Sequence, residues 1–465
     1  MLTYSFENID CPVYEYLYKC IKDDILSGTL APGEKLPSKR MFAKNNGTST
    51  ITIQNAYDQL ISEGYVYTLP KKGYYVAEIE GMTPINMSAE VHYDIRIPKE
   101  KDYICDFTSN EIDSDNFPFS VWAKISREII SGYKDKLMKI SPAAGVFELR
   151  KAIADHLKSF RGLLVDPDQI IIGAGTEYLY SFIIELLGKD KIYTLENPGY
   201  KKLIHIYGQK GVECSFASID DYGVTVEELR KCNADVAHIC PNHHFPTGIN
   251  MPASRRYELL AWANEKEERY IVEDDYDSEF RIDGKPIPPL FSIDACNKVI
   301  YMNTFSKSLT PTIRVSYMVL PVHLANKFYR MLSFYSCTVS NFEQYTLAEF
   351  IARGYFEKHI NRMRLHYSRK RKSIINSIEK SSFGKKCRIL ENDAGLHFLI
   401  EVNTDVEDCE IVKRLDDEGI RIKAISDYYI KDTDRKEHCF IINYSNMNEG
   451  RIDYAMNIFE KILDK

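Results

Sequence analysis

Lys307 stands between two serines in Thr304-Phe305-Ser306-Lys307-Ser308, and Arg314 follows seven residues later. A lone lysine is usually a solvated surface charge. One set among hydroxyls at the end of an apolar run, with an arginine in register, can serve as an amine nucleophile toward a carbonyl carbon. Three other segments carry complementary groups. Gly173-Ala174-Gly175-Thr176 joins the apolar run Ile170-Ile171-Ile172 to a helical stretch, and free backbone N–H groups at a helix start favour an anion such as phosphate. Glu273-Asp274-Asp275-Tyr276 sets carboxylates and a phenol at the end of another apolar run, and His243-His244-Phe245-Pro246-Thr247-Gly248 is a turn with side-chain donors before it. A phosphate cradle, a carboxylate, a tyrosine and a lysine together describe a site for pyridoxal 5′-phosphate (PLP), in which the lysine forms the Schiff base and the carboxylate partners the pyridine nitrogen. Asp274 competes with Asp275 and Glu273 for that carboxylate role. The two histidines also fit a plain structural role. As a metal pair they fit poorly, since adjacent residues point apart and no third ligand is in register, so no metal site is expected.

These segments must be brought together by a scaffold. From about Tyr103 onward, short apolar runs such as QIIIGAG, KIYTLENPGY, DVAHIC, YIVEDDY and KVIYMNTF alternate with helical stretches such as TEYLYSFIIELL. That is an α/β pattern with a mainly parallel sheet. Ligands of such sheets sit beyond the carboxyl ends of the strands, where these polar residues lie.

The first eighty residues read differently. Apolar groups at Val13, Tyr16, Leu17, Cys20, Ile21 and Ile25 have helical spacing, and the helix stops at Ser27-Gly28. Ser38 is placed to cap a short helix reaching about Lys44, and Thr48 or Ser49 to cap a second, with Ile53, Ala56, Tyr57, Leu60 and Ile61 facing inward. Two strands, Tyr65–Leu69 and Gly73–Ala77, flank Pro70-Lys71-Lys72. Three helices and a hairpin make a winged helix-turn-helix (α+β) over residues 1–79. Residues 80–102 are polar, carry two prolines and show no period, which reads as a linker that lets the head move. The α/β body then spans 103–465.

Composition narrows the function classes. With a net charge of −7, the 465-residue chain has no global basic field, so any DNA-binding surface is local. Residues 35–75 supply one, with Lys35, Lys39, Arg40, Lys44, Lys71 and Lys72 against Asp58 and Glu63. The 11 cysteines are scattered without a CxxC pair and are expected to be reduced thiols. The start MLTYSFENID lacks the basic and apolar segments of a secretory leader, and no apolar run is long enough for a membrane span. A cytoplasmic protein with no membrane partner is expected.

Residues 13–77 resemble the GntR-type DNA-binding domain: the Leu36-Pro37-Ser38-x-Arg40 strap, the helix end Ala56-Tyr57-Asp58-Gln59-Leu60-x-x-Glu63-Gly64-Tyr65 and the wing are all present. A recognition helix presents its N-terminal residues to base edges, here Ser49, Thr50, Thr52 and Gln54, while Lys39, Arg40, Lys71 and Lys72 are suited to phosphate. The remainder is similar to fold-type I aminotransferases, and the whole to the MocR/GabR-type regulators that fuse such a head to such a body. ENPGY, HHFPTG, VEDDYDSEF and NTFSKSLTPTIRVSYMVLP carry this, in the family's order. The resemblance implies Lys307 as the Schiff-base lysine, Asp274 on the pyridine nitrogen and Tyr276 on the ring hydroxyl. It places Gly175, Thr176, Thr304, Ser306 and Arg314 on the phosphate, Tyr200 against the ring, and His243 or His244 near the ring oxygen. Tyr200 also fits plain core packing. The resemblance further implies a homodimer whose chains exchange heads, binding operator DNA at two half-sites.

Two departures bear on the ligand. The arginine with which the enzymes and the GABA-responsive regulator grip a substrate carboxylate falls at Ile441, and a second family arginine falls at Lys202, the one effector-contact candidate. Lysine cannot reproduce a bidentate fork; Arg421 and Arg451 are the remaining substitutes. Losing both forks argues against amino-acid turnover and toward PLP itself as the signal, as in control of vitamin B6 synthesis. An amine or amino acid sensed as a PLP adduct, and a working aminotransferase with an appended head, are the alternatives.

Overall fold

The computed structural model describes residues 2–6, 9–79, 95–97, 101–109, 111–281, 288–390, 395–431 and 435–464. Most of the expected linker, at 80–94 and 98–100, lies outside the described residues. The chain divides into two compact units, Met1–Glu100 and Lys101–Lys465.

In the head, α1 (Val13–Leu26), α2 (Lys39–Asn45) and α3 (Thr50–Ser62) precede a hairpin of β1 (Val66–Leu69) and β2 (Gly73–Val76). The helix starts follow from side-chain caps. Ser38 Oγ accepts the Met41 N–H at 3.3 Å, and Ser49 Oγ accepts the Thr52 N–H at 3.1 Å. Leu17, Ile21, Phe42, Ile53, Tyr57, Leu60, Val66 and Val76 close a small core. Lys71 turns the hairpin with φ 62°.

The body begins with β3 (Cys105–Asp106). Its main sheet holds β4 (Ile170–Gly173), β5 (Tyr193–Asn197), β6 (Cys214–Asp220), β7 (Gly223–Val224), β8 (Val236–Ile239), β9 (Tyr270–Asp274), β10 (Val299–Thr304) and β11 (Ser316–Val319), in the order β4-β11-β10-β9-β8-β5-β6-β7. Strands β6, β5, β8, β9 and β10 pair in parallel, and β11 lies antiparallel between β10 and β4. The carboxyl ends at Gly173, Asn197, Ile239, Asp274 and Thr304 therefore share one edge. The strands β4, β5, β8, β9 and β10 are buried almost throughout, as a sheet covered on both faces requires.

A four-stranded antiparallel sheet forms a second layer from β12 (Cys387–Leu390), β13 (His397–Val402), β15 (Lys423–Ala424) and β16 (Cys439–Asn443). The short β14 (Ile420–Arg421) pairs with β3. The 26-residue helix Tyr355–Lys380 leads into this part of the chain. All 11 cysteines are free thiols, and no helix among the described residues is long and apolar enough to cross a membrane.

Candidate cofactor cavity and DNA-facing surface

A cavity of about 300 Å³ opens at the shared strand edge. Thr176, Tyr200, Lys202, His244, Asp274, Tyr276, Thr304, Ser306, Lys307 and Arg314 line it, so segments far apart in sequence meet there. Lys307 lies on the single helical turn Phe305–Ser308, which Thr304 Oγ1 caps by accepting the Ser306 N–H at 3.1 Å. Burial pushes the Lys307 ammonium down to about 8, opposed by the nearby Asp277 carboxylate. Near neutral pH a usable fraction is thus the free amine, the form that attacks carbonyl carbon.

The three successive carboxylates separate by what they touch. Glu273 accepts the Leu290 and Phe291 N–H groups at 2.8 and 2.9 Å. Asp275 is ion-paired with Arg161 and accepts the Tyr301 hydroxyl at 2.8 Å. Both are committed to holding the fold. Asp274 faces the cavity: Tyr180 donates its hydroxyl to Oδ2 at 2.8 Å, His238 Nε2 lies 3.5 Å from the same oxygen, and Oδ1 is buried with no hydrogen-bond partner among the described residues. An orphaned carboxylate oxygen in a cavity fits a protonated nitrogen on the molecule that fills it.

The anion-suited end is built on the helix Thr176–Leu187, whose N-cap Gly175 has φ 91°. A Cβ at Gly175 would collide with the Arg314 guanidinium, so only glycine admits that group there. Thr176, Thr304 and Ser306 add hydroxyls. Glu177, which sequence reasoning missed, lies at the same end, with Oε2 3.0 Å from Arg314 Nη2 and Oε1 ion-paired with Lys202. Lys202, chiefly, holds the Glu177 carboxyl below its usual range.

Tyr200 is 47% exposed, which does not fit the core-packing reading, and its ring meets Phe245 edge-on at 6.1 Å. Tyr276 donates its hydroxyl to the His243 carbonyl oxygen at 2.9 Å, so that group is already engaged through its proton. His244 lines the cavity, whereas His243 sits behind it, with Nδ1 2.9 Å from Asp277 Oδ2. His243 packs so closely on Gly395 (φ 78°) that a Cβ there would meet its ring. Of the two histidines the geometry therefore favours His244 for ligand contact. Burial pushes His244 down to about 3 and Glu196 up to about 8, so at neutral pH both are uncharged. Glu196, His238, Tyr180 and His397 all line the cavity and were not singled out from sequence. Glu196 stood in plain view in the ENPGY motif, but nothing in sequence showed that it would be buried.

At the place of the family's clamp, Ile441 is buried in an apolar cluster with Leu399, Ile425 and Cys439, against Phe245 and Tyr428. Arg421 stacks over Tyr103 and lies 3.5 Å from Asp106, and Arg451 donates to the Ile104 carbonyl at 2.7 Å. Neither lines the cavity. Among the described residues Arg314 is the one arginine that does.

On the head, Arg40, Ser49, Thr50, Lys71 and Lys72 are exposed, and Lys39, Thr52 and Gln54 half-buried. Lys39 Nζ hydrogen-bonds Gln54 Oε1, whose Nε2 donates to Asp58 at 2.7 Å, so Gln54 is pre-oriented. The Ser49 oxygen accepts the Thr52 N–H as the α3 cap, which leaves its proton to donate. Ile51, passed over in the sequence reading, is 71% exposed in the first turn of α3, where an apolar contact can meet a thymine methyl.

The comparisons with known proteins agree with this division. Residues 13–76 match the bacterial regulatory proteins of the gntR family, and residues 103–459 match aminotransferase class I and II. The chain is 35% identical over 427 residues to the HTH-type transcriptional regulator YdeL of Bacillus subtilis, covering 90% of each. It is 30% identical over 411 residues to the HTH-type pyridoxine biosynthesis transcriptional regulator PdxR of Corynebacterium glutamicum, covering 87% of this chain and 86% of that one. A kynurenine aminotransferase from Pyrococcus horikoshii shares the fold of the body, with a TM-score of 0.67 at 23% identity over 78% of this chain and 91% of that one. A GntR-type head, an aminotransferase-type body and relatives matched along nearly their whole length place this chain in the MocR/GabR-type family of transcription regulators.

Proposed function

We propose that this regulator holds PLP in the body cavity and reports its presence, or its capture by an amine, to the DNA-binding head. The observation that carries the cofactor reading is the orphaned Asp274 Oδ1 in the cavity that Lys307 also lines. When bound, PLP supplies an aldehyde carbon reactive toward amines and an electron-drawing pyridine ring. Lys307 would supply the amine that holds that carbon. Asp274, oriented by Tyr180, would accept the ring N–H and favour the protonated nitrogen. Gly175, Thr176, Thr304, Ser306 and Arg314 supply N–H groups, hydroxyls and one guanidinium for the phosphate. Tyr276 and His244 would lie toward the ring oxygen, and Tyr200, exposed in the cavity lining, would pack on the ring.

PLP itself is the signal this cavity suits best. Ile441, at the place of the family's clamp, is buried in an apolar cluster, and Lys202 is a point charge, so neither offers a fork for a substrate carboxylate and an amino acid would be poorly oriented for turnover. The relative PdxR carries pyridoxine biosynthesis in its name, in line with this reading. Regulation in the cytoplasm, rather than aminotransfer, is the role. The working unit is a homodimer with exchanged heads. Exposed Met138, Ile140, Phe334 and Tyr335 support a self-association face, since the Asn341 amide bonds to the Lys136 and Lys139 carbonyls and so draws these segments together.

The test uses duplexes that the full chain itself selects from a random-sequence pool. PLP is expected to change their affinity several-fold, and a panel of amino donors to leave the spectrum of the PLP-loaded protein unchanged. Equal DNA affinity with and without PLP would refute PLP as the signal. Conversion of the cofactor by a donor, repeated when a keto acid is added, would restore the enzyme reading.

A further inference from the structure

The helix Tyr355–Lys380 carries eight basic residues and two acidic ones. Three of the eight face inward. Lys370 and Arg371 are buried, Lys370 donating to the Ser445 carbonyl at 3.1 Å, and Arg364 donates to the Glu279 carbonyl and lies over the Phe160 ring. These three hold the helix to the body.

The other five, Lys358, Arg362, Arg369, Lys372 and Lys380, are exposed. At roughly 100° per residue they fall within an arc of about 80° on one face, and at about 1.5 Å per residue the stripe is roughly 33 Å long. None of the five forms an ion pair among the described residues. Arg362 donates to the Asn116 carbonyl and Lys358 lies over the Tyr355 ring, contacts that leave both charges uncompensated. The helix's own acids, Glu357 and Glu379, fall about 60° and 20° outside this arc, and Asp113 and Glu449 act on His366 and Lys370 at its flank. Asn376 and Leu365 complete the stripe and are exposed as well. An ordinary solvated helix face interleaves acids with bases at i,i+4, as Lys151 and Asp155 do elsewhere in the body. This face does not, although the chain carries a net charge of −7.

We infer that this stripe is a second DNA contact: a surface on the body that docks the sugar-phosphate backbone of duplex DNA without reading its sequence. Charge complementarity and length both favour this occupant. Five uncompensated cations meet a polyanion, and the stripe matches about one 34 Å helical turn of B-DNA. A chain with a GntR-type head is already delivered to duplex DNA, so the ligand is at hand. A stripe of this kind adds affinity and salt dependence and leaves base preference to the head.

The experiment measures binding of the full chain to random-sequence duplexes of about 18 and 60 base pairs by fluorescence anisotropy, from 50 to 300 mM KCl (roughly the range over which phosphate contacts show). The test variant combines Arg369→Gln, Lys372→Gln and Lys380→Gln, all surface changes. The control combines Lys189→Gln, Lys210→Gln and Lys413→Gln, exposed lysines with the same charge loss. On the long duplex the test variant should lower the slope of log K against log salt by about 2–3 and weaken binding roughly tenfold at low salt. On the short duplex, already longer than the stripe, the slope should fall as well, and a thermal midpoint equal to wild type shows that the variant is folded. The control should match wild type on both. Wild-type slopes for the test variant on the long duplex, or an equal loss in the control, would overturn the inference. So would loss of binding to phosphatidylserine vesicles with DNA binding unchanged.

Discussion

The two ligand-facing regions of this molecule are built on opposite principles. On the head most contact groups are exposed, with Arg40, Lys71 and Lys72 standing in solvent and half-buried Gln54 oriented by Lys39 and Asp58. In the body Asp274, Thr304 and His244 are buried while Tyr200 and Arg314 stand exposed at the mouth, and among the described residues several buried atoms make no hydrogen bond, including Asp274 Oδ1, Glu196 Oε1 and the Nε2 atoms of His238 and His244. DNA is a long polyanion that neutralises the head's cations wherever it lies, so the head needs charge and shape more than pre-organisation. A small ligand must repay the desolvation of every buried polar group it meets, so the body must be shaped in advance. Single substitutions should therefore act sharply and selectively in the body and gradually in the head.

The largest effect is expected at Asp274. Replacing it with alanine removes a charge-assisted bond and should weaken PLP retention by roughly 10- to 100-fold, measured by equilibrium dialysis, with DNA binding of the cofactor-free protein unchanged. Unchanged retention would mean that the orphaned oxygen does not meet the ligand. Next comes Glu177, whose carboxylate occupies both Arg314 and Lys202 at the end suited to phosphate. Glu177→Gln should tighten PLP several-fold by removing a like charge, and weaker binding would show that the carboxylate helps hold the ligand. A pH effect of similar size belongs to Glu196. Its buried carboxyl stays protonated up to about 8, while in the unfolded chain it ionises near the ordinary value of 4.5. Stability is therefore lost as pH rises between these values. Glu196→Gln should flatten the fall in thermal midpoint between pH 5.5 and 8, leaving the part due to Glu273 and Glu279, both raised to about 7 by burial. A fall as steep as in wild type would contradict the burial argument. The smallest effect is expected on the head, where Lys71→Gln with Lys72→Gln should reduce the salt slope of DNA binding by about 2 and leave PLP retention alone. A change in retention would break the separation between the regions.

Much of this was legible in sequence because strand ends announce themselves. Ile170–Ile172 before Gly173, Tyr270–Val272 before Glu273 and Val299–Met302 before Thr304 are apolar runs that stop at polar residues, and a parallel sheet brings such ends to one edge. The choice among Glu273, Asp274 and Asp275 was not legible from spacing, because it depends on distant partners: Leu290 and Phe291 for the first, Arg161 for the last. The same holds for His243, removed from the cavity wall by Asp277 and Gly395, and for Arg421 and Arg451, which are spent on the edge near β3. Ser49 shows a different case: the pattern named it both a cap and a DNA contact, and its oxygen accepts the Thr52 N–H as the cap while its proton can still be donated.

The central claim is that Lys307 holds PLP in a cavity separable from the DNA-binding head. The most direct measurement is the visible absorbance of the purified protein with PLP, before and after borohydride, for wild type and Lys307→Ala, each also assayed for DNA binding. A PLP absorbance band that borohydride fixes to the protein in wild type only, with basal DNA binding kept in both, is the expected result. Borohydride fixing an equal amount of cofactor in Lys307→Ala, or no cofactor in wild type, would contradict the claim.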